Sequence, residues 1–291
     1  MKIAITGSSG FIGTHLCAAL SDGHDIVPLS RDNIGDFHEV EDWSAIFAGC
    51  DAVIHLAARV HQTNERTQNA EEYARDNTEL TRRIVDGAMA AGAAQFIFLS
   101  TAAVYGDAQV AKAEDAALAP SNEYGRSKLA AEDIVNIARD KMRSVIIRPP
   151  LIYGRNCRAN FMMLSKAIAK GLPLPLSGVK NQRSFLYIGN LCSFIAHALK
   201  TEAVQGAYNL ADDTALSTPD MVRAMAAAMG KKPRLFWFPP ILLRYGFSLI
   251  GYRRQITGLT GSFILDINKV QNTEWRAPYT TEQGLRETLK E

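Results

Sequence analysis

The hydrophobic positions of this chain form short continuous runs separated by longer stretches with a helical period. Runs of five or six mostly apolar residues are typical of strands buried on both faces, and they occupy residues 2–6, 25–30, 52–56, 95–100 and 144–148. Ala, Leu and Ile recur three and four positions apart over residues 71–91 and 124–141, which predicts helices there. Strands that alternate with helices in this way predict an α/β fold built on a doubly wound parallel sheet.

A glycine-rich turn lies between the first predicted strand and an apolar helix that extends to about Leu20. Gly7 permits a tight turn, Gly10 lets the backbone approach a diphosphate, and Gly13 allows close packing of helix against strand. The N–H groups at the start of the helix would then face the anion. The spacing differs from the usual G-x-G-x-x-G dinucleotide motif, so a glycine turn without a ligand is the alternative.

Tyr124 and Lys128 are four positions apart in the second of these predicted helices, which places them on one face. A positive charge beside a phenol favours its ionised form, so Lys128 is expected to lower the pKa of Tyr124 toward neutral pH. The pair is therefore a candidate for proton transfer. The alternative is a chance pair on a solvated helix face.

Composition predicts a globular protein, because 47% of the 291 residues are hydrophobic and the formal net charge is only +2. No basic run is longer than a pair, so no nucleic-acid partner is expected. The four cysteines contain no C-x-x-C pair and the six histidines have no ligand spacing, so neither a disulfide nor a metal is expected. Glycines interrupt the first apolar stretch where a signal peptide would need its core, which favours a cytoplasmic protein.

Several motifs stand in one order along the chain: Thr6-Gly-Ser-Ser-Gly-Phe-Ile-Gly13, His55-Leu-Ala-Ala58, Asn77, Ser100-Thr101, Val104-Tyr-Gly106, Tyr124 with Lys128, and Arg148-Pro-Pro-Leu-Ile-Tyr-Gly154. Together they resemble the extended short-chain dehydrogenase/reductase family over nearly the whole chain. The resemblance implies a Rossmann dinucleotide-binding domain at residues 1–150 and a smaller nucleotide-sugar-binding lobe at residues 151–291, interleaved with the first. It also implies a homodimer in which two helices of each subunit pair across a two-fold axis.

The same resemblance places the cofactor at the carboxyl ends of the predicted strands. His55 is implied to line this site and His61 to be structural. The residues implied to bind the cofactor are Gly7, Ser9, Gly10, Phe11, Ile12, Gly13, Ser30, Arg31, Leu56, Ala57, Ala58, Asn77, Ser100, Tyr124, Lys128 and Pro149.

The residues after the second predicted strand bear on the choice between NAD(H) and NADP(H). NAD-specific Rossmann sites place an acid about 20 residues beyond the glycines, whereas this chain has Ser30 followed by Arg31. A hydroxyl and a cation would accept a 2′-phosphate, so NADP(H) is favoured. In the alternative, Arg31 stacks on adenine, Asp32 binds the ribose, and the cofactor is NAD(H).

By resemblance, Thr101, Tyr124 and Lys128 are the catalytic residues for hydride transfer at C4 of a sugar. Thr101 would hydrogen-bond the C4 oxygen, Tyr124 would give or take the proton, and Lys128 would hold the nicotinamide ribose; Ser100 is the alternative hydroxyl. Dehydratases of this superfamily carry Asp-Glu after that Thr, where this chain has Ala102-Ala103. A 4,6-dehydration is therefore not expected, and reductases and 4-epimerases remain.

Later segments of the chain include Gly171-Leu-Pro-Leu-Pro-Leu176, Asn181-Gln-Arg183-Ser184 and Leu259-Thr-Gly-Ser262. These look like bacterial reductases that convert UDP-2-acetamido-2,6-dideoxy-4-hexulose to UDP-N-acetylquinovosamine or UDP-N-acetylfucosamine for O-antigen and lipopolysaccharide biosynthesis. Asn160 and Arg183 would hold the diphosphate of this UDP-sugar substrate, and Leu174 and Leu176 would lie along the uracil. Arg183 in a surface ion pair is the alternative.

Sequence features favour a reductase at one position and an epimerase at another. Ser184 stands where epimerases usually have Asp, which favours the reductase, whereas residues 102–106 are closer to the loop of UDP-glucose 4-epimerases. A 4-epimerase with retained NAD is therefore the alternative function, and a non-catalytic dinucleotide sensor is a more remote one.

Residues 235–250 are the most apolar stretch of the chain, and Arg253 and Arg254 follow them. Pro239, Pro240 and the short length argue against a spanning helix. A lid or packing element of the substrate lobe is favoured over an interfacial helix that contacts a membrane, so membrane association is not expected.

Overall fold

Eight strands organise the computed structural model, which describes residues 1–60, 69–106, 110–157, 160–249 and 253–290. Six of them form one sheet in the order β2-β1-β3-β4-β5-β8, and every neighbouring pair is parallel. The strands are β1 (Lys2–Thr6), β2 (Asp25–Leu29), β3 (Ala52–His55), β4 (Gln95–Leu99), β5 (Arg143–Arg148), β6 (Leu151–Tyr153), β7 (Phe185–Tyr187) and β8 (Gly206–Asn209).

Thirteen α-helices surround the strands in the part of the chain that the structure describes. A π-helix (Ala74–Glu79) and two 3₁₀-helices (Ala102–Tyr105 and Ala138–Asp140) continue or connect them. The α-helices are α1 (Phe11–Leu20), α2 (Arg31–Ile34), α3 (Trp43–Ile46), α4 (Ala70–Tyr73), α5 (Leu80–Ala90), α6 (Glu123–Ile137), α7 (Asn160–Ala169), α8 (Ile188–Lys200), α9 (Thr218–Ala228), α10 (Pro240–Leu249), α11 (Arg253–Thr260), α12 (Asn268–Gln271) and α13 (Thr281–Leu289).

Helices cover both faces of the central sheet, as its continuous apolar strands require. On one face, Leu16 of α1 and Phe194 of α8 pack in a core with Ile5. On the other face, Ile84 of α5 and Ile134 of α6 belong to a second core. Because the chain moves from β1 outward to β2 and then crosses to β3 on the other side, β1 and β3 mark the topological switch point where open α/β sheets bind ligands.

The smaller lobe is built around the parallel pair β6 and β7. Its core contains Tyr153, Phe161, Met225 and Leu285. The chain returns to the central sheet between these parts, since β8 pairs with β5. The division at residue 150 thus stays an approximate prediction. Within the described ranges, none of the helices combines the length and hydropathy needed to cross a bilayer.

The doubly wound parallel sheet predicted from the sequence is confirmed, and each predicted strand matches an observed one to within a residue at either end. The helix predicted over residues 71–91 is instead three segments, because a π-helix separates α4 from α5. The strand β8 was not predicted, since its four residues include Gly206 and Asn209, which have low strand propensity.

Candidate active site

The turn between β1 and α1 leaves no room for side chains at two glycines. Gly7 has a φ of +74°, and a Cβ there would lie 2.9 Å from the backbone nitrogen of Ala57. A Cβ on Gly13 would lie 2.3 Å from the carbonyl oxygen of Gly7. Gly7 therefore makes the tight turn, and Gly13 the close packing of helix on turn, that the sequence predicts for these positions.

The first turn of α1 offers backbone N–H groups at the carboxyl end of β1. Gly10 is its exposed N-cap residue, no side chain caps the helix, and no acid lies in the first turn. Helix N-termini of this kind attract anions, so residues 9–13, with exposed Ser9, fit the diphosphate of a dinucleotide. Phe11 and Ile12 are half-buried and pack against the core below.

The other predicted cofactor residues converge on the same edge of the sheet. Leu56, Ala57 and Ala58 follow β3, and the N–H of Leu56 donates to Thr6 O at 3.2 Å. Pro149 follows β5, and its carbonyl accepts from the N–H of Ala102 at 2.9 Å. The carboxyl ends of β1, β3, β4 and β5 thus lie side by side along one edge of the sheet.

Thr101 at the end of β4 lies close enough to Tyr124 in the first turn of α6 for the two side chains to interact. The Thr101 hydroxyl also accepts from the N–H of Ala103 at 3.2 Å. Burial raises the pKa of Tyr124 to about 12, the Thr101 side chain opposes this, and nearby Tyr73 adds to it. The phenol is therefore protonated at neutral pH.

Lys128 lies one turn after Tyr124, with its Nζ 3.9 Å from the centre of the Phe98 ring. Burial lowers the pKa of this amine to about 7, and the negative charge of Glu132 opposes that shift. Lys128 is not among the groups that shift the pKa of Tyr124. The expected lowering of that pKa by Lys128 is wrong, because desolvation dominates both groups.

Ser100 is committed to a buried cluster and does not face a substrate. Its hydroxyl donates to Glu132 Oε1, which also accepts from Nε of Arg148 at 3.0 Å. Nη2 of Arg148 donates to Glu132 Oε2 at 2.6 Å. All three side chains are buried. Ser100 thus loses its assignment as the alternative catalytic hydroxyl, and its contact with the cofactor stays a prediction.

His55 is a structural residue, and the implied position lining the cofactor site is wrong. Thr81 donates its hydroxyl proton to Asn77 O at 2.5 Å, so it accepts from Nε2 of His55 at 3.0 Å. The Thr6 hydroxyl then donates to Nδ1 at 2.7 Å. Burial keeps the pKa of His55 well below its usual value. The neutral ring ties β1 and β3 to α5. His61 lies outside the described residues.

Asn77 braces the loop that follows β3. Its Nδ2 donates to Ser127 Oγ at 2.9 Å and to Arg59 O at 3.1 Å, and its Oδ1 accepts from Arg59 N at 2.7 Å. The side chain is 1% exposed and lies in the π-helix, an irregularity that is frequent at functional sites. Asn77 therefore holds the loop after β3 against α6.

Ser30 and Arg31 lie just beyond β2, next to the glycine turn. Ser30 is buried and caps α2, with its backbone N–H 2.8 Å from Oδ1 of Asn33. Arg31 is exposed, and no ion pair is observed for it within the described parts of the chain. The pair is thus placed to meet the adenosine end of a dinucleotide.

Arg183 lies in the smaller lobe and is half-buried without a carboxylate partner in the portion of the chain that the structure covers. Its Nη1 donates to Gly261 O at 2.9 Å, and burial lowers its pKa. The alternative of a surface ion pair is therefore wrong. Leu174 is half-buried, Leu176 packs in the lobe core, and Asn160 is the first residue of α7.

Sequence reasoning missed Glu132, Phe98 and Tyr73. Glu132 follows Lys128 by the same four positions that separate Lys128 from Tyr124, so helical spacing alone could have identified it. Phe98 and Tyr73 carried no local signal, because both approach α6 from other elements.

Comparison with known proteins gives one family and several relatives of similar length. The model of the NAD dependent epimerase/dehydratase family matches residues 3–211. A UDP-glucose 4-epimerase of Vibrio cholerae is 31% identical, over 99% of this chain and 94% of that protein. The N-acetyl-alpha-D-glucosaminyl-diphospho-ditrans,octacis-undecaprenol 4-epimerase of Escherichia coli O157:H7 is 28% identical, over 99% and 94%. The solved UDP-N-acetylglucosamine 4-epimerase of Bacillus cereus has the same fold, with a TM-score of 0.82 over 100% of both chains at 24% identity.

Proposed function

Because the chain belongs to the NAD-dependent epimerase/dehydratase family, we propose that it catalyses oxidation–reduction at C4 of a UDP-linked sugar. The observation that carries the proposal is that the Thr101 and Tyr124 side chains lie together, with Lys128, at the edge of the sheet where the glycine turn opens. When bound, the nicotinamide dinucleotide supplies the hydride donor or acceptor. The turn at residues 7–13 would hold its diphosphate.

Tyr124 is the proton donor or acceptor at the C4 oxygen in this proposal, and Thr101 orients that oxygen through its hydroxyl. With a pKa of about 12, Tyr124 holds its proton at neutral pH. A protonated phenol suits the reduction of a carbonyl, because the new alkoxide oxygen must receive a proton. Lys128 is the group that would contact the nicotinamide ribose.

Elimination of water is not part of the proposal. Thr101 is followed by Ala102, which is buried, and Ala103. Neither offers a carboxylate at the place where dehydratases carry their acid and base. The hydroxyl, phenol and amine that are present supply proton transfer at one oxygen only.

The reaction we place first is NAD(P)H-dependent reduction of a UDP-4-keto-6-deoxyhexosamine to UDP-N-acetylquinovosamine or UDP-N-acetylfucosamine, for surface polysaccharide. Ser30 and Arg31 support it, since a site that takes NADP(H) suits an enzyme that exchanges its cofactor on every turnover. Ser184 supports it too, because epimerases usually have Asp at this position. The Ser184 hydroxyl instead accepts a hydrogen bond from the N–H of Leu265 at 3.1 Å.

A 4-epimerase with retained NAD is the second candidate, and the names of the Vibrio cholerae and Escherichia coli relatives favour it. Both reactions use Thr101 and Tyr124 at the same oxygen. They differ in whether the 4-keto sugar is a substrate or an intermediate that is reduced again on its other face.

Arg183 would bind the diphosphate of the UDP-sugar. Its half-buried guanidinium has no carboxylate partner among the described residues, and desolvation lowers its pKa. An anionic ligand would compensate that burial, and the planar donor fork of Arg suits a diphosphate.

The deciding experiment incubates the pure protein with UDP-2-acetamido-2,6-dideoxy-4-hexulose and NADPH, and in parallel with UDP-glucose alone. Stoichiometric loss of NADPH supports the reductase. Formation of UDP-galactose without net cofactor loss supports the epimerase instead. Tyr124→Phe should lower turnover by about 10²–10⁴-fold while cofactor binding persists. Full activity of this variant would contradict the assigned role of Tyr124.

We also propose a cytoplasmic homodimer in which α5 and α6 of each subunit form the interface. Light scattering after gel filtration tests the assembly. A monomer at micromolar concentration would contradict it.

A further inference from the structure

Three large side chains of α10 with apolar bodies face the solvent. Leu243 is 5% exposed and packs in the core of the smaller lobe, whereas Ile241, Leu242 and Tyr245 are 79%, 57% and 68% exposed. A surface helix of a globular protein normally carries polar residues on the side that faces water. Among the residues of α10 whose side chains the structure describes, apolar groups therefore face both the core and the solvent.

The segment before α10 extends this surface. Phe236, Trp237 and Phe238 are 44%, 69% and 36% exposed. Large apolar side chains exposed singly are ordinary, but a contiguous group marks an interaction surface. We call the following six residues the apolar patch: Phe236, Trp237, Phe238, Ile241, Leu242 and Tyr245.

The chain around the apolar patch contains no acidic residue. Residues 221–265 hold seven Lys or Arg and no Asp or Glu, and residues 141–201 hold ten Lys or Arg and no Asp or Glu. All 30 acidic residues lie elsewhere, although the net charge of the chain is only +2. Part of this positive charge lies in the smaller lobe, on α7 and in the segment that leads into α10.

Backbone contacts place several of these cations beside the apolar patch. The N–H of Leu174 donates to Arg234 O at 2.8 Å, and that of Phe236 donates to Leu174 O at 3.1 Å. Nζ of Lys231 donates to Ala169 O at the end of α7 at 2.6 Å. The exposed Lys166 and Lys170 lie on or directly after α7, so they border the segment that leads into the patch.

We propose that the apolar patch docks the protein onto the surface of an anionic phospholipid bilayer. Exposed aromatic and aliphatic side chains beside lysines are the composition of interfacial segments, which bury their apolar side among the acyl chains and attract acidic headgroups. A second copy of the chain is disfavoured as the occupant, because the lysines and arginines beside the patch of one copy would face those of the other. This proposal replaces the expectation that the protein avoids membranes, and it is independent of the reaction at C4.

Trp237 provides a direct probe of docking. The chain has three tryptophans, and Trp43 and Trp275 are 3% and 8% exposed, against 69% for Trp237. Vesicles of phosphatidylglycerol and phosphatidylcholine at low salt should shift the tryptophan emission to the blue, and brominated lipid should quench it. Trp237→Phe should remove both effects.

Vesicle flotation of the full chain tests the apolar and the electrostatic contributions to membrane binding separately. Ile241→Ser with Tyr245→Ser should lower the partition coefficient by at least about tenfold. The control is Val110→Ser, an apolar residue that is 74% exposed elsewhere. Lys166→Gln with Lys170→Gln should lower the coefficient by about 30-fold at low salt. Its control is Lys141→Gln with Lys200→Gln, which removes the same charge beside the amino ends of β5 and β8.

Each outcome decides the proposal. Flotation supports the proposal if high salt reverses it and if only two variants lose it, the double serine variant of the patch and the double glutamine variant of Lys166 and Lys170. Absence of flotation at low salt overturns it, and so does equal binding to vesicles of pure phosphatidylcholine. A serine variant that turns a dimer into a monomer, without vesicle binding by the parent chain, assigns the patch to a second copy instead. Turnover measured in solution remains a separate readout of the proposed function.

Discussion

Glu132 and Arg148 form a buried ion pair that joins α6 to β5. Arg148 donates from Nη2 at 2.6 Å and from Nε at 3.0 and 3.1 Å. Glu132 lies one helical turn beyond Lys128 and two turns beyond Tyr124 on the same side of α6. It also accepts from Ser100 at the end of β4. One carboxylate therefore ties β5 to β4 and α6, the two elements that position Thr101, Tyr124 and Lys128.

We predict that Arg148→Met destabilises the protein by about 3–5 kcal/mol, because it leaves the charge of Glu132 buried and unpaired. Urea denaturation measures the difference. The matched control is Arg126→Met, which removes the exposed pair of Arg126 with Glu123 and should cost at most about 1 kcal/mol. If both variants lost the same free energy of unfolding, burial of the Arg148–Glu132 pair would not increase the cost of breaking it.

The buried amine of Lys128 predicts a pH-dependent effect on stability. Its pKa is about 7 in the folded chain and about 10.4 when unfolded. Below the folded value both states bind the proton, and the folded state bears the full desolvation penalty. Above that value only the unfolded state binds it, so the free energy of unfolding rises with pH up to the unfolded value.

Lys128→Met is therefore expected to raise the free energy of unfolding below about pH 7, by about 4 kcal/mol, with a gain that shrinks as pH rises toward about 10. Denaturation without cofactor at a series of pH values measures this. Lys141→Met, which changes an exposed lysine, should give no such trend. A gain for Lys128→Met that is constant with pH would contradict the lowered pKa.

Gly13→Ala tests the packing of α1 on the glycine turn. The new Cβ would lie 2.3 Å from Gly7 O and 2.6 Å from Ser8 Cα, so the backbone must shift. We expect a loss of about 1–3 kcal/mol and weaker binding of the dinucleotide, measured by denaturation and by isothermal titration. Gly23→Ala is the control, since no atom lies within 4 Å of its added Cβ. If the two variants behave alike, close packing at Gly13 is unimportant.

Local pattern was enough to predict the parts of the fold that depend on neighbouring residues. The apolar runs gave the first five strands of the central sheet, and the roles of Gly7 and Gly13 followed from the strand–turn–helix pattern. Tyr124 and Lys128 could be paired because helical spacing is fixed.

Partners from distant parts of the chain were not predictable in the same way. His55 bonds Thr6 across 49 positions and Thr81 across 26, so its structural role appears only after folding. The pKa of Tyr124 likewise depends on burial, which no local motif reports. The apolar run after residue 235 was recognised, but its exposure depends on which side of α10 the core covers.

The cofactor preference is the last prediction, and it depends on Ser30 and Arg31. Ser30→Asp keeps a residue type favoured at a helix N-cap while it adds a carboxylate near the expected 2′-phosphate. Since like charges repel, we expect the Michaelis constant for NADPH to rise at least about tenfold and that for NADH to change little. Arg31→Ala should act in the same direction by removing a cation. Asp32→Asn is the control: if it weakens NADH binding while the other two variants leave NADPH unaffected, Asp32 binds the ribose and the enzyme uses NAD(H).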